Sequence, residues 1–526
     1  MSPTRRCHAH LVLLALVASV LLPSPAAAAV PEPPYEHTYE RVLVSMRDGV
    51  ELSADIWRPV VPEGQKVPVI LTLTPYRALY RANDRQESTL PSITGSVARR
   101  YVPKGYAFVL ADVRGTYNSG GCWSYGGKSE REDGYDLVEW FGTRDWSNGR
   151  VGMIGGSYDG TTANAAAVEQ PPHLSTIVPI SAISRWWGYA YHGGARVTYS
   201  GETADADPPS DTPTDFMFAY GFIPPPSPSA ADDPARIAAR WNPCDRVRQT
   251  LKGYSTQPDY DEFWQERDYL RHAPDIKVPA LVAHGLLDSN VKSWEGTAWY
   301  QALGGPKRLV VGGWGHSVPL VTGWNQLLDR WFARWLMDVP NGVEDEPGVW
   351  VQQGTQGPRV QSSWGTGSVL RVPLAGDAFT YTDDGALTES EMIRGLGAGL
   401  RFTSVPVEVP AGVEVEGRPV LRLRARTNAT STHFVATLRA GQRVVGRGFL
   451  NARYADSLEQ GQDLVPGVER SFPIELIDND FRLQAGEKLE LLLASSSTTW
   501  VAPDEQRSTN TLLLDGSFLE LPLRGQ

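Results

Sequence analysis

The chain has 526 residues, of which 41% are apolar and 10% aromatic, and its formal net charge is −11. This length predicts two or more domains around a large core. The acidic balance excludes the basic surface that nucleic acids require, so we expect no nucleic-acid partner.

The first 29 residues have the pattern of a secretory signal peptide. Arg5 and Arg6 provide a positive start, residues 11–22 form an apolar run, and residues 27–29 are small alanines of the kind that precede a cleavage site. The apolar run is short for a membrane span. We therefore expect residues 1–29 to be removed and the protein to be secreted, with no stable membrane anchor.

Residues 42–57 predict a β-hairpin, because alternating apolar residues flank Asp48-Gly49, a strong turn signal. Short, continuously apolar runs follow along the chain, with helical spacings between some of them. Continuous runs are typical of parallel strands that helices cover on both faces, which predicts a doubly wound α/β domain. The runs are residues 67–73, 107–113, 151–154, 177–180, 278–283 and 309–311, and the predicted helices include 161–170, 293–303 and 324–335.

Residues 185–275 interrupt this alternation with a stretch rich in Pro, Asp and Ser. An insertion after a strand lies above the edge where open α/β sheets bind ligands, so we predict a helical cap there. From residue 346 onwards alternating strands and Gly/Pro turns indicate an all-β jelly-roll sandwich. The predicted domains are an α/β domain over 30–184 and 276–345, a cap over 185–275 and a jelly roll over 346–526.

A glycine-flanked serine follows the run at 151–154. The motif is Gly155-Gly156-Ser157-Tyr158-Asp159-Gly160, and a predicted helix begins directly after it. A sharp strand-to-helix turn crowds the backbone, so small neighbours are needed to raise a serine hydroxyl above the sheet. The usual second glycine comes two residues after the serine, whereas here it comes three residues after. Ser157 is a candidate nucleophile, and an ordinary Gly-rich turn is the alternative.

Two later residues complete the chain order of serine, acid and histidine that α/β-hydrolases use. Asp288 follows the run at 278–283, and His316 follows the run at 309–311 through a Gly-rich loop. A serine hydroxyl needs a base because it barely ionises at neutral pH, and a carboxylate holds the histidine ring in the right tautomer. Singly, Asp288 could be a helix N-cap and His316 a surface histidine. Together with Ser157 they predict a triad that works through an acyl-enzyme.

These motifs together resemble the family that contains bacterial cocaine esterase, α-amino-acid ester hydrolases and Xaa-Pro dipeptidyl-peptidases. The likeness covers nearly the whole chain after the signal, and a glycine three residues after the serine is similar to that family's form of the turn. Two pieces depart from its pattern, at Tyr117-Asn118 and at Gly313. The matching motifs are Thr74-Pro75-Tyr76-Arg77, Asp112-Val113-Arg114-Gly115-Thr116, residues 155–160, His284-Gly285-Leu286-Leu287-Asp288, Trp314-Gly315-His316 and residues 448–454.

The resemblance implies an α/β-hydrolase fold with a cap and a C-terminal jelly roll, and it implies no cofactor. It also implies an oxyanion hole made of the Tyr76 hydroxyl and the backbone N–H of Tyr158. Two such donors would meet the charge that develops on a substrate carbonyl oxygen. The alternative for Tyr76 is an aromatic side chain packed at a strand end.

The expected substrate is a short peptide or a small ester. We expect release of N-terminal dipeptides, with a carboxylesterase or α-amino-acid ester hydrolase as the alternative, because pocket shape decides among substrates of one triad. A secreted binding protein without catalysis is the distant alternative. A free α-amino group needs a carboxylate nearby, for which Asp261 and Glu262 are candidates, and Trp187 is a further candidate contact. A solvated helix start is the more ordinary interpretation of the two acidic residues.

The chain has three cysteines, and Cys7 lies in the predicted signal. Cys122 and Cys244 would remain in an oxidising compartment. A disulfide between them is one possibility, and two separate thiols are the other. No Cys or His spacing is typical of a metal site, so we expect no metal.

Overall fold

The computed structural model describes residues 35–77, 95–198, 258–365, 367–383, 385–396 and 401–525. A ten-stranded sheet in the order β1-β2-β4-β3-β5-β6-β9-β10-β11-β12 forms the first unit, and β7 and β8 form a small separate pair. The strands are β1 (His37–Ser45), β2 (Glu51–Pro59), β3 (Val67–Thr74), β4 (Ala107–Asp112), β5 (Ser147–Gly156), β6 (Leu174–Ile180), β7 (Tyr191–His192), β8 (Ala195–Arg196), β9 (Ala280–Gly285), β10 (Lys307–Gly312), β11 (Val349–Gln352) and β12 (Arg359–Gln361).

The strands β1 and β2 form the predicted hairpin. They pair antiparallel, with Val44 opposite Leu52, and Gly49 in the turn has a φ of +82°. Neighbouring strands from β4 through β3, β5, β6, β9 and β10 to β11 all run parallel. Each apolar run of the sequence overlaps one of these strands, which confirms the predicted sheet. Because the strands are parallel, their carboxyl ends meet at one edge.

Helices cover both faces of this sheet, as a doubly wound arrangement requires. On one face α2 packs so closely on α3 that a Cβ at Gly134 would lie 2.7 Å from the Cβ of Ala166. On the other face the Trp331 indole of α7 donates to the Thr176 hydroxyl over 2.7 Å. The helices are α1 (Gly95–Tyr101), α2 (Lys128–Gly142), α3 (Tyr158–Glu169), α4 (Trp186–Ala190), α5 (Glu262–Glu266), α6 (Trp294–Ala302), α7 (Trp324–Met337) and α8 (Glu389–Ile393), with 3₁₀ turns at Val102–Lys104, Tyr269–Asp275 and Ala452–Tyr454.

Only part of the predicted cap belongs to the described residues. Residues 199–257 lie outside them, whereas α4, the β7–β8 pair and α5 belong to the remainder. The prediction of a helical cap over 185–275 therefore stays a prediction. Within the ranges described above, no helix has the length and apolar character needed to cross a bilayer.

The C-terminal unit is all-β apart from α8 and one 3₁₀ turn, and its strand pairs are antiparallel. One sheet has the order β13-β23-β17-β20 with β14 also on β23, another has the order β15-β22-β18-β19, and β16 pairs with β21. These strands are β13 (Val369–Pro373), β14 (Phe379–Thr382), β15 (Phe402–Val407), β16 (Glu414–Gly417), β17 (Val420–Thr427), β18 (His433–Ala440), β19 (Arg443–Asn451), β20 (Arg470–Glu475), β21 (Asn479–Arg482), β22 (Leu489–Ala494) and β23 (Thr509–Pro522).

Leucine, valine and phenylalanine side chains from both larger sheets share one buried core, as in a two-layer sandwich. The all-β C-terminal domain predicted from alternation is thus confirmed. The first sheet, however, continues through β11 and β12. The boundary predicted after residue 345 therefore lies before the last two strands of that sheet.

The two units contact each other through buried polar groups. His192 Nε2 lies 2.7 Å from the carbonyl oxygen of Glu475, and the Ser293 hydroxyl donates to the carbonyl of Asp478 over 2.8 Å. On the cap side, the Tyr454 hydroxyl donates to Asp259 over 2.8 Å. The C-terminal unit is therefore joined to the loops at the edge of the first sheet.

Candidate active site

Ser157 lies at the turn between β5 and α3, in a backbone conformation that L-residues rarely adopt, with φ +59° and ψ −126°. Two of the glycines around Ser157 are required because neighbouring atoms leave no room for a Cβ at these positions. A Cβ at Gly155 would lie 2.3 Å from the Cβ of Asp159, and one at Gly160 would lie 2.6 Å from the Gly155 carbonyl oxygen. Gly160 thus has a steric role at the third position after the serine, which explains the departure noted in the sequence. We call residues 155–160 the serine turn.

Two hydrogen-bond donors converge beside Ser157. The Tyr76 hydroxyl, just after β3, donates to Ser157 Oγ over 3.0 Å. The backbone N–H of Tyr158, the first residue of α3, donates to the Tyr76 hydroxyl oxygen over 3.2 Å. Burial is the main cause that raises the pKa of Tyr76 above its usual value, so this phenol stays protonated and can donate.

The Tyr158 side chain anchors the start of α3 in the core. Its hydroxyl donates to Glu130 over 2.6 Å and accepts from the Trp123 indole over 2.7 Å. Burial, followed by the charge of Glu130, raises the pKa of this phenol well above its usual value. Sequence reasoning did not find Glu130 or Trp123, because a Glu in the first turn of a helix is an ordinary residue and no local signal marks either.

Asp288 and His316 are brought together by the loops after β9 and β10. His316 Nδ1 lies 2.7 Å from Asp288 Oδ2, and the carboxylate is fully buried while the imidazole is about one-fifth exposed. The two loops pack backbone on backbone at Gly285, where a Cβ would lie 2.2 Å from the Trp314 carbonyl oxygen. The glycine in the sequence His-Gly-Leu-Leu-Asp is therefore required for this pair to form.

The three predicted triad residues all follow the carboxyl ends of parallel strands at one edge of the sheet. Backbone hydrogen bonds connect the turns there, from Ser157 N–H to the Ile180 carbonyl and from Ser181 N–H to the Ala283 carbonyl, each over 2.8 Å. Within the part of the chain that the structure describes, no hydrogen bond joins Ser157 to His316. Catalytic hydrogen bonds are often longer in free enzymes than in substrate complexes.

The loop that carries Asp288 is held by neighbours that the sequence did not indicate. The backbone N–H of Asn290 donates to Asp288 Oδ1 over 2.9 Å. Asn290 is in turn held by the Tyr189 hydroxyl at its side-chain oxygen and by Lys292 Nζ at its carbonyl, over 3.1 and 3.2 Å. Lys292 is only 2% exposed, and burial lowers its pKa to about 7.

The predicted substrate contacts have other roles in the described structure. Asp261 caps α5 by accepting from the backbone N–H groups of Phe263 and Trp264, and it therefore lies at a helix start. Glu262 is exposed in the first turn of the same helix. Trp187 is buried, and its indole donates to the Pro258 carbonyl over 2.8 Å. None of these contacts involves Ser157, and their binding role stays a prediction.

Cys122 is disulfide-bonded. Cys244 lies outside the described residues, so the pairing of the two remains a prediction. Among the residues that the structure describes, no group of His, Cys, Asp and Glu side chains is arranged to hold a metal ion.

Comparison with known sequences identifies two family matches that divide the chain. A sequence model described as X-Pro dipeptidyl-peptidase (S15 family) matches residues 48–318. A second model, described as the X-Pro dipeptidyl-peptidase C-terminal non-catalytic domain, matches residues 341–519.

Similar curated proteins cover most of the chain. A provisionally named Xaa-Pro dipeptidyl-peptidase of Streptomyces avermitilis is 27% identical, and the alignment covers 98% of this chain and 88% of that protein. The provisionally named protein of Bacillus anthracis is 26% identical over 87% of this chain and 82% of its own length. Cocaine esterase of a Rhodococcus strain is 28% identical over 52% of this chain and 48% of its own length.

Solved structures share the whole architecture. An α-amino acid ester hydrolase has a TM-score of 0.73 at 21% identity, covering 97% of this chain and 99% of its own. A CocE/NonD family hydrolase from Staphylococcus aureus has a TM-score of 0.73 at 20% identity, covering 93% of this chain and 94% of its own. At these identities the likeness shows the fold.

Proposed function

This chain belongs to the X-Pro dipeptidyl-peptidase (S15) family, and from that premise we propose that it releases N-terminal dipeptides through a triad of Ser157, Asp288 and His316. The family and the hydrolase class expected from the sequence motifs are confirmed by the two family matches and the named relatives. The observation that carries the proposal is the convergence of the Tyr76 hydroxyl and the Tyr158 N–H beside Ser157 Oγ.

In the proposed reaction Ser157 Oγ attacks the carbonyl carbon of the substrate's second residue. Tyr76 donates to Ser157 Oγ, so the serine's own proton is free to pass to Nε2 of His316. Asp288 accepts from Nδ1 of the same ring, which leaves Nε2 unprotonated in the neutral imidazole. His316 then delivers that proton to the leaving amine as the peptide bond breaks, and a water molecule releases the acyl group as a free carboxylic acid.

The negative charge of the tetrahedral intermediate would lie on the former carbonyl oxygen. We propose that this oxygen accepts from both the Tyr76 hydroxyl and the Tyr158 N–H, which in the free protein donate to Ser157 Oγ and to the Tyr76 hydroxyl oxygen, respectively. The hydrogen bonds from Tyr158 to Glu130 and from Trp123 to Tyr158 hold one donor in place. A donor that needs no reorganisation stabilises the transition state more than the ground state.

A panel of three substrates tests the proposal. Ala-Pro-p-nitroanilide should be hydrolysed, its N-acetylated form should not, and the Ser157→Ala protein should hydrolyse neither. Equal turnover of the free and acetylated anilides would contradict a dipeptidyl-peptidase. Turnover of p-nitrophenyl butyrate alone would instead support a carboxylesterase, and failure of Ser157 to react with a fluorophosphonate would support a binding protein.

Recognition of the free α-amino group is proposed to involve Asp261 or Glu262. Because Asp261 caps α5, Asp261→Ser is the informative variant, since serine retains a capping oxygen while the charge is lost. Asp261→Ser and Glu262→Gln, made as separate variants, should each raise KM for Ala-Pro-p-nitroanilide and leave kcat unchanged. Unchanged KM in both variants would exclude these two residues from the site while leaving the triad proposal intact.

We propose that the protein is secreted after removal of residues 1–29. Support comes from the positive start, the apolar run and the alanines of that segment. Expression with the native N-terminus should yield an exported protein whose N-terminal sequence begins at Val30. A chain that stays in the cytoplasm with Met1 or Ser2 at its start would contradict this proposal.

A further inference from the structure

A cavity lies between the two units, lined by residues of both. Its volume is about 410 Å³, and its lining includes none of Tyr76, Ser157, Asp288 and His316. Aromatic and apolar side chains make up much of its wall. Those that the argument uses are Trp187, Trp294, Phe449 and Pro473.

The Arg185 side chain lines this cavity, and its guanidinium makes no hydrogen bond to a described residue. The backbone N–H of Arg185 donates to Glu295 over 2.8 Å. In the part of the chain that the structure describes, however, no hydrogen bond or ion pair involves the guanidinium, whose carbon lies 5.5 Å from the centre of the Trp187 ring. An arginine carries five N–H donors and remains charged at any physiological pH. This cavity is therefore lined by N–H donors that no described group accepts from.

The carboxylate of Glu295, near Arg185, accepts hydrogen bonds from other groups. Glu295 Oε2 accepts from the backbone N–H of Ser184, the Ser184 hydroxyl and the backbone N–H of Arg185, and its other oxygen accepts from the Trp294 indole. Burial raises the pKa of Glu295, and the nearby charge of Arg185 opposes this effect.

The other charges of the lining also have partners. Glu475 pairs with Arg418 over 3.0 Å, and Asp456 pairs with Arg470. His192 is buried and its pKa is lowered to about 4, mainly by burial, so it adds no charge near neutral pH. Arg418 is matched by Glu475 and Asp478. Arg185 interacts electrostatically with Glu295 and Glu475, but unlike Arg418 it donates no hydrogen bond from its guanidinium to a described group.

The walls around this charge suit a flat, apolar body. The Trp294 indole is stacked on the His192 ring with centroids 4.3 Å apart, and Trp187 is held by its hydrogen bond to Pro258. These rings are thus fixed, so a ligand would lose little free energy in ordering the walls. Rigid aromatic walls beside an arginine with unused N–H donors suit a carboxylate attached to an apolar group.

We propose that the cavity lined by Arg185 and Trp187 is a binding site for an organic monocarboxylate with an aromatic or apolar body, separate from the catalytic serine. The carboxylate accepts two parallel hydrogen bonds from the guanidinium, and the apolar body packs against Trp187, Trp294 and Phe449. This role also explains an arginine whose guanidinium makes no hydrogen bond at a domain interface, because functional sites often retain groups that do not stabilise the free protein.

Calorimetric titration with phenylacetate tests the site, with neutral phenylacetamide as the matched ligand. The protein is first blocked at its reactive serine with a fluorophosphonate, so that binding at the catalytic centre is excluded. Phenylacetate should bind the blocked protein, and phenylacetamide should bind at least about tenfold more weakly. Arg185→Gln should lower the affinity for phenylacetate by at least about tenfold. The control is Arg371→Gln, which removes the same charge from an exposed side chain of β13.

Thermal unfolding separates a binding role from a structural one. Because the guanidinium makes no hydrogen bond in the described structure but interacts electrostatically with Glu295 and Glu475, Arg185→Gln should unfold within a few degrees of the parent, and phenylacetate should raise Tm only for the parent and Arg371→Gln. Equal affinity in Arg185→Gln, equal affinity for phenylacetamide, or loss of binding after the serine is blocked would each overturn the proposal. If Ser157 proves unreactive, the proposed hydrolase function fails. The comparison of Arg185→Gln with Arg371→Gln still tests whether the cavity binds a carboxylate.

Discussion

The serine turn and the loop from Asp288 to Lys292 both present a proposed catalytic group at the same edge of the sheet, but they are held in different ways. The serine turn is held by its own backbone, with Ser157 at φ +59° and Gly155 and Gly160 admitting no side chain. The Asp288 loop is held by side chains from elsewhere, including Tyr189, through Asn290.

This difference determines which substitutions each region tolerates and whether the region can be recognised from a sequence motif. A turn held by backbone sterics needs glycine at defined positions, so it leaves a motif. A loop held by side-chain hydrogen bonds can be built from many residue types, so it leaves almost none. Substitutions in the turn should therefore be costly even when they are small, whereas substitutions behind Asp288 should have graded effects.

The largest effect is expected at the serine itself. Ser157→Ala removes the nucleophile and should lower kcat by at least about 10⁴-fold while the fold is retained. Initial rates on the best substrate of the panel measure the fall in kcat, and circular dichroism shows whether the fold is retained. Turnover near that of the parent would exclude the triad.

Asp288→Asn tests the second region without changing its size. The amide cannot hold the His316 ring in the required tautomer, so kcat should fall by about 10³- to 10⁴-fold. Solvent-exposed Asp338→Asn is the control. If Asp288→Asn retains more than one-tenth of the activity, Asp288 is a structural carboxylate only.

Tyr76→Phe removes one of the two donors beside Ser157. We expect kcat to fall by about 10²- to 10³-fold with little change in KM, because the lost hydrogen bond matters mainly in the transition state. A rise in KM at constant kcat would show instead that Tyr76 contacts the bound substrate.

Gly160→Ala tests the sterics of the turn. Its Cβ would lie 2.6 Å from the Gly155 carbonyl oxygen, whereas a Cβ at Gly156 would have its nearest neighbour at 4.0 Å. Gly160→Ala should therefore lower the free energy of unfolding by about 1–3 kcal/mol, and the matched Gly156→Ala should leave it nearly unchanged. Equal denaturation midpoints for the two variants would contradict a steric role for Gly160.

The smallest effect on activity is expected at Lys292. Lys292→Met removes the hydrogen bond to the Asn290 carbonyl and should lower kcat by about tenfold at most. Its effect on stability should depend on pH, because burial lowers the pKa of the folded-state ammonium to about 7 from the usual 10.5.

Between pH 7 and pH 10.5, Lys292 is protonated in the unfolded chain but neutral in the folded one. The parent therefore becomes more stable as the pH rises through this range. Below pH 7 the full cost of burying the charge is present, and Lys292→Met should be the more stable protein. Its advantage should shrink as pH rises from 7 to 10.5, in thermal unfolding curves compared with those of Lys128→Met on the surface. A difference independent of pH would contradict this account.

Features that depend on neighbours in the chain could be read from the sequence. Strand periodicity predicted the sheet, and the glycines around Ser157 predicted the turn. Acidic residues near a helix start were ambiguous: Asp261 fits both a cap and an ammonium partner, and the structure describes the cap.

The sequence by itself determined the two-unit architecture and the order of Ser157, Asp288 and His316, because apolar periodicity and glycine sterics act over a few residues. Only the tertiary structure decided which distant groups meet. It brings Glu130 to the Tyr158 hydroxyl, buries Lys292 behind Asp288 and leaves the Arg185 guanidinium facing a cavity between the units. The physical reason is that hydrogen bonding and desolvation depend on the complete surroundings of a group, which folding assembles from residues far apart in the chain.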